Sequence, residues 1–83
     1  MDISQKDEIV RAIDEIAKNA ATSQGPEGSP EFARSYSLYI RDARKHISNK
    51  AVRLTLKNIA IWRGDDAGLS EDEVLKYWEN VDG

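Results

Sequence analysis

The chain has 83 residues and no cysteine, with 40% hydrophobic and 33% charged residues. This length accommodates one hydrophobic core, and the composition is that of a folded globular chain. The lack of cysteine excludes disulfides, thiolate metal sites, iron–sulfur clusters and cysteine nucleophiles. We therefore expect a single domain spanning residues 1–83.

The charge is strongly segregated along the chain. Residues 1–31 carry a net charge of −4, residues 32–63 carry +7 and residues 64–83 carry −6, which gives −3 overall. No apolar run approaches the roughly 20 residues that span a bilayer, and the N-terminus does not have the pattern of a signal peptide. We expect a cytoplasmic protein that does not associate with membranes.

The first segment predicts a helix over residues 5–21, because its apolar residues recur at helical spacing and Ser4 provides an N-cap. Residues 22–29 contain two glycines and a proline but no apolar residue, which predicts a flexible loop. Residues 28–32 resemble a cloning-vector scar, but scars lie at chain termini and we favour a natural loop.

The second helix is predicted over residues 30–46. Ser29 is a suitable N-cap, and Pro30 fits the first helical position because no backbone N–H is needed there. The predicted helix has an apolar face for the core and a cationic face opposite. The apolar face comprises Phe32, Tyr36, Tyr39, Ile40, Ala43 and Ile47. The cationic face comprises Arg34, Arg41, Arg44 and Lys45.

The third segment, residues 49–63, is ambiguous because Val52 to Lys57 alternates as a half-buried strand does. No other segment offers a matching strand, so we favour a helix with Ser48 as its N-cap and Gly64 as its C-terminal glycine. In that helix, Lys50, Arg53 and Lys57 form one polar stripe.

The fourth helix is predicted over residues 71–81. Ser70 and Glu73 form a capping box, and Leu69 and Val74 occupy the two staple positions around it. The predicted fold class is therefore all-α, a small single-domain bundle of about four helices.

Two groups of residues are candidates for a chemical site. Asp42 and His46 lie one helical turn apart, as a carboxylate–imidazole pair would, but no nucleophile or substrate-binding group accompanies them. The acids from Asp65 to Glu73 do not have the spacing of a calcium loop and suit a helix N-terminus instead. We expect no enzyme activity, no catalytic residue, no metal site and no cofactor.

The basic middle of the chain is the functional signal that we single out. Our leading hypothesis is a non-enzymatic binding or regulatory protein that docks on an acidic surface of a protein partner. The candidate residues are Arg34, Arg41, Arg44, Lys45, Lys50, Arg53, Lys57 and Trp62. Trp62 is the expected exposed anchor, since tryptophan and arginine often anchor interfaces.

Three other interpretations of the basic middle stay open. The same residues could bind the phosphates of DNA or RNA, although the sequence pI of about 5.1 argues against it. They could also be neutralised by the acidic segments of the same chain. A homodimer would combine the complementary charges with the larger core that so short a chain lacks.

Overall fold

The computed structural model describes residues 2–78, with the side chains of residues 7–78. Within that range it contains four helices: α1 (Asp2–Ala21), α2 (Pro30–Arg44), α3 (Lys50–Asp66) and α4 (Glu71–Lys76). The predicted all-α bundle is confirmed. The segment from Val52 to Lys57 lies inside α3, so the strand alternative is wrong.

Several helix boundaries differ from the predicted ones. α1 already begins at Asp2, so Ser4 lies within the helix rather than before it. α2 ends at Arg44, because the next N–H groups, including those of Lys45 and His46, bond three residues back and tighten the chain into a turn. The last predicted residues of the fourth helix, 79–81, lie outside the described residues.

Polar side chains cap the starts of the last three helices. Ser29 accepts a hydrogen bond from the Phe32 N–H at 3.2 Å, and Ser70 accepts one from the Glu73 N–H at the same distance. Both caps were predicted. The predicted cap of α3 was wrong by one residue, since it is Asn49 whose side-chain oxygen accepts from the backbone of α3.

The end of α3 corrects the role predicted for Gly64. This residue lies buried within the helix, and a Cβ added to it would lie 2.5 Å from a methyl carbon of Val74. The terminating glycine is Gly68, which has a φ of +85°. The Leu69 N–H bonds back to the Gly64 carbonyl at 2.8 Å and the Gly68 N–H to that of Asp65, which is the Schellman pattern of a helix end.

The core lies where α1, α2 and α3 meet, and α4 packs against α3. Its largest buried side chains belong to Trp78, Tyr36, Phe32, Ile40 and Leu56. Tyr39 was predicted to pack in this core but is 42% exposed. Among the described residues, no helix is long and apolar enough to cross a membrane.

Candidate functional site

The basic side chains of α2 are not a single exposed row. Arg34 reaches from α2 to α4, where its Nε donates to Glu73 Oε2 at 2.9 Å. The pKa of Arg34 is raised by this hydrogen bond and by the charge of Glu73. Glu73 lies in the first turn of α4, so this contact joins the basic middle to the acidic C-terminal part of the chain. Arg34 therefore supports the interpretation of internal neutralisation.

Arg41 and Lys45 share one acidic neighbour on the surface of α2. The carboxylate of Asp42 lies 3.3 Å from Nη2 of Arg41 and 3.8 Å from Nζ of Lys45. These contacts are local and solvent-exposed, so they contribute little to stability and leave both cations accessible to a partner.

Arg44 departs most from its predicted position. It was assigned to the cationic face of α2, but only 5% of the residue is exposed. Its guanidinium carbon lies 5.8 Å from the centre of the Trp78 ring. The assignment to a solvent-facing side was wrong because the spacing of residues within α2 cannot show that Trp78, much later in the chain, packs on this part of the helix. Arg44 is part of the packed structure.

Arg63 occupies the junction of three helices and was missed as a site residue. Its Nη2 lies 3.1 Å from Asp14 Oδ1, and its guanidinium carbon lies 4.8 Å from the centre of the Tyr36 ring. The Tyr36 hydroxyl donates to the same carboxylate of Asp14. Nη1 of Arg63 lies 3.8 Å from Glu27 in the loop between α1 and α2. The geometry indicates a structural clamp.

The electrostatics of this junction fit such a clamp. Burial acts against the charge of Arg63, but its contacts with Tyr36 and Asp14 outweigh that effect and raise its pKa. For Tyr36, in contrast, burial itself raises the pKa, and the hydrogen bond to Asp14 and the negative charge of Asp14 add to that increase. At neutral pH the arginine is therefore charged and the phenol is protonated.

The remaining basic residues lie together on the outer surface of α3. Lys50, Arg53 and Lys57 surround Leu54, and these four residues line an open depression of about 340 Å³. We call this set the α3 face. Arg53 and Leu54 lie three and four positions after Lys50, and Lys57 lies seven after it, which places the four residues on adjacent turns of one helix side. Leu54 is 59% exposed at the centre of these cations.

Lys50 and Arg53 form no ion pair with any described residue. Their charges are therefore not neutralised within the part of the chain that the structure describes. This distinguishes them from Arg34 and Arg63, whose guanidinium groups are held by acids from other segments.

Trp62 is exposed, as predicted, with 60% of its surface accessible. It is eight residues after Leu54, which puts it two turns along α3 and about 80° around the helix. Its ring centre lies 5.5 Å from the guanidinium carbon of Arg63. Trp62 is thus at the margin of the α3 face, beside the clamp.

Asp42, His46 and the acids from Asp65 to Glu73 are the candidates for catalysis and metal binding. The Asp42 carboxylate contacts Arg41 and Lys45, and it forms no hydrogen bond with the exposed His46. Among the described residues, no three acidic or histidine side chains are close enough to hold a metal ion. Glu73, one of these acids, forms an ion pair with Arg34.

Comparison with protein-family models, with curated proteins and with solved structures gave no significant match. A functional proposal for this chain therefore rests on the chemistry of its own surface.

Proposed function

We propose that the chain is a non-enzymatic binding domain that docks through the α3 face on an acidic surface of a protein partner. The observation that carries the proposal is the position of Leu54, an exposed apolar side chain surrounded by Lys50, Arg53 and Lys57. Interfaces commonly combine an apolar centre with a charged rim, and the α3 face has both components.

The contacts on the other helices support this choice of surface. Arg34 is engaged by Glu73, and Arg44 is buried, so neither belongs to the proposed interface. Arg41 and Lys45 are accessible on α2 and could add long-range attraction for an acidic partner. The proposed docking surface is therefore smaller than the full basic middle of the sequence.

A protein partner is favoured over nucleic acid by the apolar groups on α3. Leu54 and Trp62 are both more than half exposed, and covering an aliphatic side chain such as Leu54 gives no benefit in binding to phosphates. An acidic protein surface with apolar residues would bury Leu54 and pair with the cations around it. Complementary charge would also raise the association rate.

The proposal can be tested with a designed amphipathic helical peptide that carries glutamates beside leucines at seven-residue spacing. Fluorescence anisotropy of the labelled peptide, titrated with the full chain, should show saturable binding that weakens as salt increases. Reversing two charges with Lys50→Glu and Arg53→Glu should weaken the affinity by about tenfold or more.

The matched control reverses two exposed cations outside the α3 face, with Arg11→Glu and Lys76→Glu. It changes the net charge equally but should keep most of the affinity. A labelled DNA duplex and a single-stranded RNA provide the competing arm of the experiment. Absence of peptide binding, or equal losses for the two double variants, would contradict the proposal. Tight and steeply salt-dependent binding of the nucleic acids alone would replace it with phosphate recognition.

A further inference from the structure

The outer side of α1 carries two exposed isoleucines that lie outside the hydrophobic core of the described residues. Ile9 is 45% exposed and Ile16 is 70% exposed. They are seven residues apart, so they lie on the same side of the helix, about 10 Å from each other. Exposed Ala12 lies between them on adjacent turns. Together, Ile9, Ala12 and Ile16 form an apolar stripe, which we call the α1 stripe.

Each isoleucine of the α1 stripe directly follows an exposed glutamate. Glu8 precedes Ile9 and Glu15 precedes Ile16, so the acids repeat with the same seven-residue period as the apolar groups. Both glutamates therefore border the same edge of the stripe, as the charged residues that flank an apolar seam do in paired helices. The α1 stripe is thus apolar with an acidic margin.

The α3 face has the complementary pattern with the same period. Lys50 and Lys57 are seven residues apart, and so are the apolar residues Leu54 and Ile61, each of which follows one lysine by four positions. Ile61 lies one turn beyond the α3 face on the same helix. Ile61 is partly buried, and Leu54 is exposed. A helix laid along the α3 face could therefore place two apolar residues and two acids against two apolar residues and two lysines.

We propose that the α3 face binds the α1 stripe of a second copy of this chain, with Glu8 and Glu15 pairing with Lys50 and Lys57. The inference rests on the proposed function, because it assigns a specific partner to the same docking surface. The partner chemistry is that of an acidic amphipathic helix, which α1 itself provides.

Charge selects this pairing over the symmetrical ones. Two α1 stripes in contact would bring four glutamates to one interface, and two α3 faces would bring six cations together. Both arrangements carry an electrostatic penalty, whereas α1 against α3 is attractive. Because the two surfaces differ, the contact is heterologous. Each copy can bind one neighbour through its α1 stripe and another through its α3 face.

Sedimentation velocity of the full chain provides the test. At low salt, the weight-average mass should rise above the 9.3 kDa of one chain as its concentration increases to about 1 mM. Two charge-reversed proteins, one with Glu8→Lys and Glu15→Lys and the other with Lys50→Glu and Lys57→Glu, should each sediment as monomers. Mixing them should restore association, because each then offers the charge that the other lacks.

Two further variants keep the test decisive if a charge-reversed protein folds poorly. Ile16→Lys changes the more exposed isoleucine of the α1 stripe and should weaken self-association by at least about tenfold while circular dichroism stays unchanged. Asp7→Lys reverses an exposed charge about 180° around the helix from Ile16 and should leave self-association unaffected.

The outcomes separate this inference from the proposed function. A chain that remains monomeric at about 1 mM overturns the pairing. If that monomer still binds the designed acidic peptide, docking through the α3 face stands. If it binds no peptide, both proposals are overturned. Failure of the mixed charge-reversed proteins to associate, when both are folded, also overturns the pairing.

Discussion

The guanidinium of Arg63, near the end of α3, donates a 3.1 Å hydrogen bond to the carboxylate of Asp14 in the middle of α1. Only 12% of the arginine side chain is exposed, and Tyr36 lies beneath its guanidinium. The contact joins residues that are 49 positions apart, so it holds the acidic first segment, residues 1–31, against the end of the basic segment, residues 32–63.

Replacing Arg63 should therefore be costly. Arg63→Ala removes the partner of a partly buried carboxylate and the stacking on Tyr36, so we expect the free energy of unfolding to fall by about 2–4 kcal/mol. Urea denaturation followed by circular dichroism measures this loss. Arg34→Ala is the matched control, since it also breaks an arginine–carboxylate pair between helices, but in an exposed position where solvent screens the charges. Equal losses for the two variants would contradict the role of Arg63 as a clamp.

Tyr36 should make the fold sensitive to alkaline pH. Burial, together with the hydrogen bond to Asp14 and its charge, raises the pKa of Tyr36 above the ordinary value of about 10. The unfolded chain then loses this proton at a lower pH than the folded chain. The contribution of Tyr36 is fully present below about pH 10 and is lost as the pH rises above it.

Urea denaturation at a series of pH values tests this dependence. Tyr36→Phe should flatten the decrease in stability above about pH 10, and it should lower stability at neutral pH by about 1 kcal/mol through loss of the hydrogen bond to Asp14. Tyr39→Phe, at an exposed position, should retain the alkaline decrease. An unchanged pH profile in Tyr36→Phe would show that another group is responsible.

Gly64 should tolerate no larger residue while Val74 is present. The Cβ of Gly64→Ala would lie 2.5 Å from a Val74 methyl carbon, so the Val74 side chain or α4 must shift, at a cost of about 1–3 kcal/mol despite the better helix propensity of alanine. Combining it with Val74→Ala should cost less than the two single losses added together, because the clashing methyl is removed. Additive losses in thermal or urea denaturation would contradict the steric explanation.

The start of α3 allows a direct comparison of two adjacent polar residues. Asn49→Ala should destabilise the fold by about 1 kcal/mol, because its side chain accepts from the N–H groups of Ala51 and Val52 at 2.9 and 3.2 Å. Ser48→Ala should have almost no effect, although the sequence pattern pointed to Ser48. A larger loss for Ser48→Ala in thermal denaturation would restore the original prediction.

The predictions that succeeded depend on interactions close in sequence. Ser29 and Ser70 cap helices through residues three positions away, so the pattern contains both partners. The choice between Ser48 and Asn49 failed because both can cap, and backbone geometry decides between them. Gly64 resembled a helix end in sequence, but its actual role is to let Val74 approach closely from another helix.

The candidate site was only partly predictable for the same reason. A helical projection grouped Arg44 with the exposed cations, but Trp78, 34 residues later, packs beside its guanidinium. The partnership of Arg63 with Asp14 joins α3 to α1 and has no local pattern in the sequence. The stripe of Lys50, Arg53 and Lys57 was predictable because it lies on one continuous helix and needs no knowledge of its neighbours.

The two tryptophans of the chain lie in opposite environments, and this gives the protein two separate optical reporters. Trp78 is 2% exposed in the core, so its emission should change when the fold opens. Trp62 is 60% exposed beside the α3 face, so its quenching by acrylamide should fall when a partner covers that side of the helix. The variant Trp62→Phe reports the Trp78 signal alone, so comparison with the unsubstituted chain separates the two signals, and both unfolding and docking can be followed without a label.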